Sequence, residues 1–278
     1  MRDFGFSEGL AFMKMHGLGN DFVVVDARKH AVSMTPKIAH LIGDRRKGIG
    51  FDQLVIINPS DDVAAELVFY NSDGSTSGAC GNATRCIARH IMQETGLHAL
   101  SLRTERGVLN CVDAQDGKTS VNMLAPQLTW QEVPLAEDVD LLHLPIPGDP
   151  VATGMGNPHC TFFVEDAEAI ELEFRGSEIE HHPLFPERTN VQFVSILGEN
   201  HLRMRVWERG AGVTLASGSS SCAVATAAHR RGLTGRKVLI SLDGGDLEIE
   251  WKDDGVWMTG ETCHVSNGVL TSEFLSQA

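Results

Sequence analysis

Ala79-Cys80-Gly81-Asn82 has a counterpart 137 positions later in Ala216-Ser217-Gly218-Ser219, and the reading of this pair decides the fold. The same spacing separates Gly17-Leu18-Gly19-Asn20 from Gly154-Met155-Gly156-Asn157, Gln53 from Asn190, and Asn71 from Glu208. A repeat held at one spacing implies two similar half-domains, whose matching residues a pseudo-two-fold would turn toward one bound carbon. Two such groups suit removal of a proton from one side of that carbon and its return to the other. One of them is a cysteine and the other a serine.

Each half opens on a β-branched strand, Phe22–Asp26 and Thr161–Val164, after a Gly-x-Gly-Asn turn whose glycines permit backbone shapes closed to side chains. Strands are predicted at 54–57, 65–70, 191–196 and 202–207, the last alternating with period two. Helices are predicted at 36–43, 81–94 and 218–231, the latter two stopping at Gly96 and Gly232. Further strands follow each long helix, at 99–103, 108–112 and 120–123, then at 238–241, 247–251 and 256–259. Strands wrapped around one long helix in each half read as α+β. The Pro/Gly-containing stretch Leu141–Pro150 is the linker candidate. The halves are drawn as 1–130 and 131–264, with the tail 265–278 packing on the first.

The 278 residues suffice for two cores, and 42% hydrophobic content without a long apolar run argues against a membrane span. Asp3 and Glu8 interrupt the N-terminal stretch, which carries no secretory pattern, so the cytoplasm is expected. A net charge of −14 argues against a nucleic-acid partner. The six cysteines and twelve histidines lack zinc-site spacing, and no metal is expected. Cys86, Cys111, Cys160, Cys222 and Cys263 read as small packing residues.

Cys80 reads differently, because it precedes the start of a helix. Unbonded N–H groups and the positive end of the helix dipole lower a thiol pKa there, and the same N–H groups hold a carboxylate. An activated base beside an anion site suits attack on the α-carbon of an amino acid. Taken singly, Asn20, Gln53, Asn71, Asn157 and Asn190 read as turn and capping residues. Recurring in step, with Glu208 to meet an ammonium and Arg209 a carboxylate, they read as the lining for a zwitterion. No lysine is placed for a Schiff base. Gly17-Leu18-Gly19 and Gly48-Ile49-Gly50 lack the spacing of dinucleotide or phosphate loops.

Met15-His16-Gly17-Leu18-Gly19-Asn20-Asp21-Phe22, Gly48-Ile49-Gly50-Phe51-Asp52-Gln53, Ala79-Cys80-Gly81-Asn82, Gly156-Asn157-Pro158-His159 and Glu208-Arg209-Gly210-Ala211-Gly212 together resemble the diaminopimelate epimerase family. The resemblance runs from about Met13 to the C-terminal region. It implies two pseudo-symmetric domains, each a curled, mainly antiparallel sheet around a long helix. It also implies cofactor-independent, two-thiol interconversion of LL- and meso-diaminopimelate in lysine and cell-wall precursor synthesis. By that likeness Asn20, Gln53, Asn71, Asn157, Asn190, Glu208 and Arg209 hold the substrate. Gly81, Asn82, Gly218 and Ser219 would present backbone amides to its carboxylate. A homodimer is compatible with the sequence, which neither requires nor forbids one.

Ser217 departs from the pattern, because the family places its second catalytic cysteine there. Val213 stands where a glutamate is usual, and Ser220 and Ser221 replace small residues. A serine hydroxyl is not ionised near neutrality and is no equivalent base. Three functions stay open: an epimerase disabled or strongly impaired at this position, a one-base amino-acid lyase or dehydratase, and a binding protein that keeps the pocket without the chemistry.

Overall fold

The structure, a computed structural model, describes residues 9–278, so Asp3 and Glu8 lie outside the described residues. The chain forms two compact units. One runs to Val121 and also takes Glu261–Ala278; the other is Asn122–Gly260.

In the first unit, β1 (Leu10–Gly17) and β2 (Asn20–Asp26) form a hairpin closed by Gly17 opposite Asn20. Its two-residue loop has Leu18 at φ 55° and Gly19 at φ 82°, the paired left-handed conformation that matches strand twist. α1 (Pro36–Gly43) starts where the Thr35 hydroxyl accepts from the Ile38 N–H and proline occupies the first turn. β3 (Gln53–Asn58) runs parallel to β2 with Gln53 opposite Phe22, and β4 (Ala65–Asn71) runs antiparallel to β3 with Asn71 opposite Gln53. The short β5 (Thr76–Ser77) leads into α2 (Gly81–Thr95), then β6 (Ala99–Thr104), β7 (Gly107–Gln115) and β8 (Lys118–Asn122). α2 is buried along most of its length and stops at Gly96, φ 73°, whose N–H reaches Met92 O at 2.9 Å.

The second unit repeats this plan. β9 (Val151–Gly154), β10 (Pro158–Phe163), α3 (Leu172–Glu180), β11 (Asn190–Gly198), β12 (His201–Glu208) and β13 (Gly212–Val213) precede α4 (Gly218–Arg230). β14 (Lys237–Leu242), β15 (Gly245–Lys252) and β16 (Gly255–Glu261) follow it. Register is kept as well as order. His159 stands opposite Asn190 where Phe22 stands opposite Gln53, and Trp207 opposite Val213 where Tyr70 stands opposite Thr76. Beyond the helix the match slips by one residue: Ala65 pairs with Leu102, but Leu202 pairs with Ile240. In each unit, therefore, the starts of two parallel strands, the end of an antiparallel third and the N-terminus of the long helix share one end of the sheet. β17 (Cys263–Leu270) returns to the first unit, antiparallel to β1, before the single turn of α5 (Ser272–Leu275). The architecture is α+β in two domains.

Seven elements had no counterpart in the sequence reading: β1, β9, β17 and α3, and the short β5, β13 and α5. In α3 the interior Gly176 hides the helix from propensity, at a cost of about 0.5–1 kcal/mol. Packing explains that glycine, because a Cβ there would lie 2.5 Å from the Trp207 Cβ. The stretch read as a linker is not free chain. Its Leu141, Leu144 and Ile146 are buried in the core of the second unit with Val133, Leu135, Phe162 and Phe193. Cys86, Cys111, Cys160 and Cys222 are buried, and burial pushes the Cys86 and Cys111 thiols up to about 12. Cys263 corrects the packing reading: it is exposed, as is most of β17. Among the described residues no helix is long and apolar enough to cross a membrane.

Candidate functional site

Cys80 and Ser217 are the N-cap residues of α2 and α4, with nearly equal backbone angles (φ −142°, ψ 111° and φ −136°, ψ 114°). Neither side chain caps its own helix. The first intrahelical bonds are Thr84 N to Cys80 O (2.9 Å) and Ser221 N to Ser217 O (3.1 Å), so the N–H groups of Gly81, Asn82, Gly218 and Ser219 precede them. The Thr84 and Ser221 hydroxyls, also 137 positions apart, each donate to the same carbonyl at 2.8 Å. The two helix starts thus share one geometry and differ in the side chain at its tip.

Around Cys80 two of the sequence-predicted residues, Asn20 and Asn82, come together. Its Sγ lies 3.7 Å from Asn20 Oδ1, which also accepts from Asn82 Nδ2 at 3.2 Å. Asn82 is held in turn by the fully buried Arg85, whose Nη1 donates to Asn82 Oδ1 at 2.8 Å. Gly17 admits this approach, since a Cβ there would lie 3.1 Å from Arg85 Nη2 and 3.3 Å from the Asn82 Cβ. On its other side Asn20 Nδ2 donates to Asp52 Oδ2 at 2.8 Å. Arg45 Nη2 bridges Asp52 and Asp21 at 2.7 Å each, and Lys14 pairs with Asp21. Partial burial pushes the Asp21 carboxyl up, but hydrogen bonds from Arg45 and Lys14 outweigh it and hold the group below the usual carboxylate range. The Asn20 amide beside the thiol is thereby anchored through charged groups. Asn71 stands at the end of β4 opposite Gln53, its Nδ2 donating to Ser75 Oγ at 3.0 Å. Sequence reasoning omitted Arg85, Asp52 and Arg45. Arg85 lies on the buried face of α2, where a charged residue runs against the amphipathic pattern.

Around Ser217 the surroundings change. Ser217 Oγ lies 2.8 Å from Glu208 Oε2 and 2.9 Å from Ser220 Oγ, and Thr214 Oγ1 donates to Glu208 Oε1 at 2.6 Å. Asn157 Nδ2 donates to Ser219 Oγ at 3.5 Å, and Asn157 Oδ1 lies 2.8 Å from His159 Nε2. Gln192 Nε2 reaches both His159 Nδ1 and Ser220 Oγ at 3.1 Å, while Gln192 Oε1 accepts from Thr161 Oγ1 at 3.0 Å. Asn190 has both ends of its amide engaged inside the unit, donating to Pro158 O (2.9 Å) and accepting from Arg209 N (3.0 Å). Arg209 Nη1 donates to Glu187 O at 3.0 Å.

Glu180, also absent from the sequence reading, supports the Glu208-Arg209-Gly210 turn. This carboxylate is 3% exposed and accepts from Trp207 Nε1 (2.7 Å) and Gly210 N (2.9 Å), with Arg188 at 3.3 Å. Glu180→Ala leaves two N–H donors and a cation without their acceptor. It is expected to lower the unfolding free energy by about 3 kcal/mol, read as a lower urea midpoint at unchanged m-value.

The chemistry available at the two helix starts is unequal. A thiol at a helix N-terminus is set up to ionise. A serine hydroxyl against a carboxylate is not, because a neighbouring negative charge disfavours an alkoxide.

Comparison with known proteins gives one family. Residues 12–129 and 151–265 match the family model described as "Diaminopimelate epimerase". A diaminopimelate epimerase of Rhodospirillum centenum is 48% identical, covering 95% of this chain and 93% of that protein. One of Acidiphilium cryptum is 47% identical, covering 95% and 98%. Among solved structures, a predicted epimerase from Pseudomonas aeruginosa superposes with a TM-score of 0.67 at 16% identity, over 94% of this chain and 99% of that one. A probable proline racemase from Agrobacterium radiobacter, solved with bound carbonate, gives 0.67 at 14%, over 95% and 93%. At such identities these two likenesses speak for the fold alone.

Proposed function

The chain belongs to the diaminopimelate epimerase family, whose members are isomerases, and from that premise we propose that it acts on diaminopimelate at the α-carbon without a cofactor, with Cys80 as its one competent base. The observation that carries this reading is the pair of matched helix starts, which differ in one atom type, sulfur at Cys80 and oxygen at Ser217. Cys80 takes or returns a proton on one side of the carbon, and Ser217 serves the other side slowly. The amides of Asn20, Gln53, Asn71 and Asn157 with Glu208 and Arg209 hold the zwitterionic ends of the substrate. The N–H groups of Gly81, Asn82, Gly218 and Ser219 receive the carboxylate of the reacting centre, where they disperse the charge that builds as the proton leaves. Asn190 belongs to the same set through the Arg209 backbone that it pins.

The register shared by the two units supports descent from one duplicated unit. On the same reading the protein works in lysine biosynthesis in the cytoplasm, and a homodimer is compatible with that role.

Incubation with LL- and with meso-diaminopimelate in heavy water, followed by proton NMR, tests the proposal. Loss of the α-proton signal is expected with one stereoisomer well ahead of inversion, because only one of the two groups ionises readily. Exchange and inversion at equal rates would mean that Ser217 is no weaker than a thiol. Elimination to a keto acid would support a one-base lyase instead.

A further inference from the structure

The two amides at matched positions 20 and 157 face opposite ways. Asn20 turns Oδ1 toward the start of α2, where it accepts from Asn82 Nδ2 at 3.2 Å and lies 3.7 Å from Cys80 Sγ. Asn157 turns Nδ2 toward the start of α4, donating to Ser219 Oγ at 3.5 Å. In the first unit the direction follows from the two ends of a hydrogen-bonded chain. Arg85 is a donor only, so Asn82 meets its Nη1 with Oδ1 and has Nδ2 left to give. Asp52, as a carboxylate, is an acceptor only, so Asn20 meets it with Nδ2 at 2.8 Å. Both ends impose the same polarity, and what Asn20 shows the thiol is its carbonyl. The second unit does not carry these ends: the spacing of 137 puts Thr189 where Asp52 stands, Cys222 where Arg85 stands and His182 where Arg45 stands.

From this geometry we propose that Asp52 is a positioning residue, which locks the Asn20 carboxamide with its carbonyl toward Cys80 and so holds the resting cysteine as a thiol. The proposal rests on the epimerase reading above and adds to it the state from which the base starts. A carbonyl beside a thiol accepts from S–H and favours the neutral form, whereas the helix N-terminus favours the thiolate. A group that takes a proton in one direction of the reaction and returns it in the other has to be reachable in both forms, and the two opposed influences serve that need.

The charges nearby do not decide the matter by their sum. Lys14, Asp21, Arg45 and Asp52 join in one network of two cations and two carboxylates. Beyond it, the charged or titratable groups on the elements around this helix start are Arg85 on α2, His16 at the end of β1, and Glu105 with Arg106 beside Gly78. The atom that meets the S–H is the neutral amide oxygen, and Asp52 acts only through it. Since Ser217 is not ionised either, both helix starts rest with their protons on, and exchange of the substrate α-proton has to follow the ionisation of Cys80.

Asp52→Asn and Asp52→Ala separate the lock from plain charge, because both remove the negative charge. Asparagine still offers one oxygen. Two donors meet at the Oδ2 position, Asn20 Nδ2 at 2.8 Å and the Asp21 N–H at 3.1 Å, and they would draw that oxygen to the same place. Alanine offers none. The quantity read is the pH midpoint of iodoacetamide alkylation, followed at the Cys80 peptide by mass spectrometry; altered access changes the limiting rate but not the midpoint. Asp52→Ala is expected to lower the midpoint by about 0.7 pH, giving about fivefold more thiolate at pH 7, while Asp52→Asn keeps the thiolate fraction within about twofold of the parent. Asn20→Ala, which removes the carbonyl itself, should lower the midpoint at least as far as Asp52→Ala. Equal changes in Asp52→Ala and Asp52→Asn would overturn the lock in favour of charge, and so would an unchanged or raised midpoint in Asn20→Ala or Asp52→Ala. Exchange of the α-proton of both diaminopimelate isomers in heavy water, measured on the same proteins, is expected to follow each protein's alkylation midpoint. Exchange that keeps the parent's pH dependence in Asp52→Ala while the alkylation midpoint moves would overturn Cys80 as the base and the epimerase reading with it, and leave the lock in place.

Discussion

Ser217→Cys is expected to raise interconversion of LL- and meso-diaminopimelate by about 10³-fold or more, measured as inversion under reducing conditions. The size of the effect follows from the acidity gap between the two groups. A thiol has an ordinary pKa near 8.5, and a helix N-terminus lowers it further, so a useful fraction is thiolate at neutral pH. Ser217 has the same backbone angles and the same helix behind it, yet it gains nothing from them because its hydroxyl does not ionise. The substitution needs no backbone change, as Cys80 occupies the matching geometry in the first unit. The thiol would lie within reach of Glu208 and Ser220, as the hydroxyl does. Two-base catalysis works as a unit, so restoring the second base should return most of the loss at once. A rate unchanged by the substitution would show that the impairment lies elsewhere, with Val213 the first position to test.

The repeat was legible because its markers are residues with few uses. Glycines at turns and helix starts, and amides at strand ends, keep their spacing through Ser217. β1 and β17 were not legible: β1 is a run of buried and half-buried positions without alternation, and β17 is exposed along most of its length, so neither shows the period of a half-buried strand. α3 was hidden by Gly176, whose reason is a tryptophan more than thirty residues away. In the site, the helix-start residues and the amides could be read from the chain. Arg85, Glu180 and the His159 network could not, because periodicity ranks polar residues as surface and these are inside, while Asp52 is an exposed carboxylate like many others in the chain. One signal for the network was present all the same. Comparing the two halves position by position sets His159, Thr161, Gln192 and Ser220 against Phe22, Val24, Val55 and Ala83, and four apolar-to-polar differences clustered around one helix start indicate a site.

Cys80→Ala is expected to remove α-proton exchange at its side of the substrate, lowering kcat by about 10⁴-fold or more, while calorimetric affinity for diaminopimelate stays within a few-fold. The split follows from where Cys80 sits. Among the polar contacts around it, Asn82 holds Asn20 at 3.2 Å, and Asn20 is anchored to Asp52 on its other side, so the amide does not depend on the thiol for its position. The N–H groups of Gly81 and Asn82 are fixed by the helix, whose first bond runs from the Thr84 N–H to the Cys80 carbonyl and survives in alanine. What alanine removes is the single atom able to carry the proton. Asn20→Ala makes the complementary change: it removes the acceptor of Asn82 Nδ2 and the amide beside the thiol, so KM should rise along with the fall in kcat. The four buried cysteines do not substitute for Cys80, because Cys86 and Cys111 have thiols pushed up to about 12, and Cys160 and Cys222 are shut away as well. Exchange at that side surviving Cys80→Ala at more than a few per cent would therefore point to a base other than Cys80 and the buried cysteines.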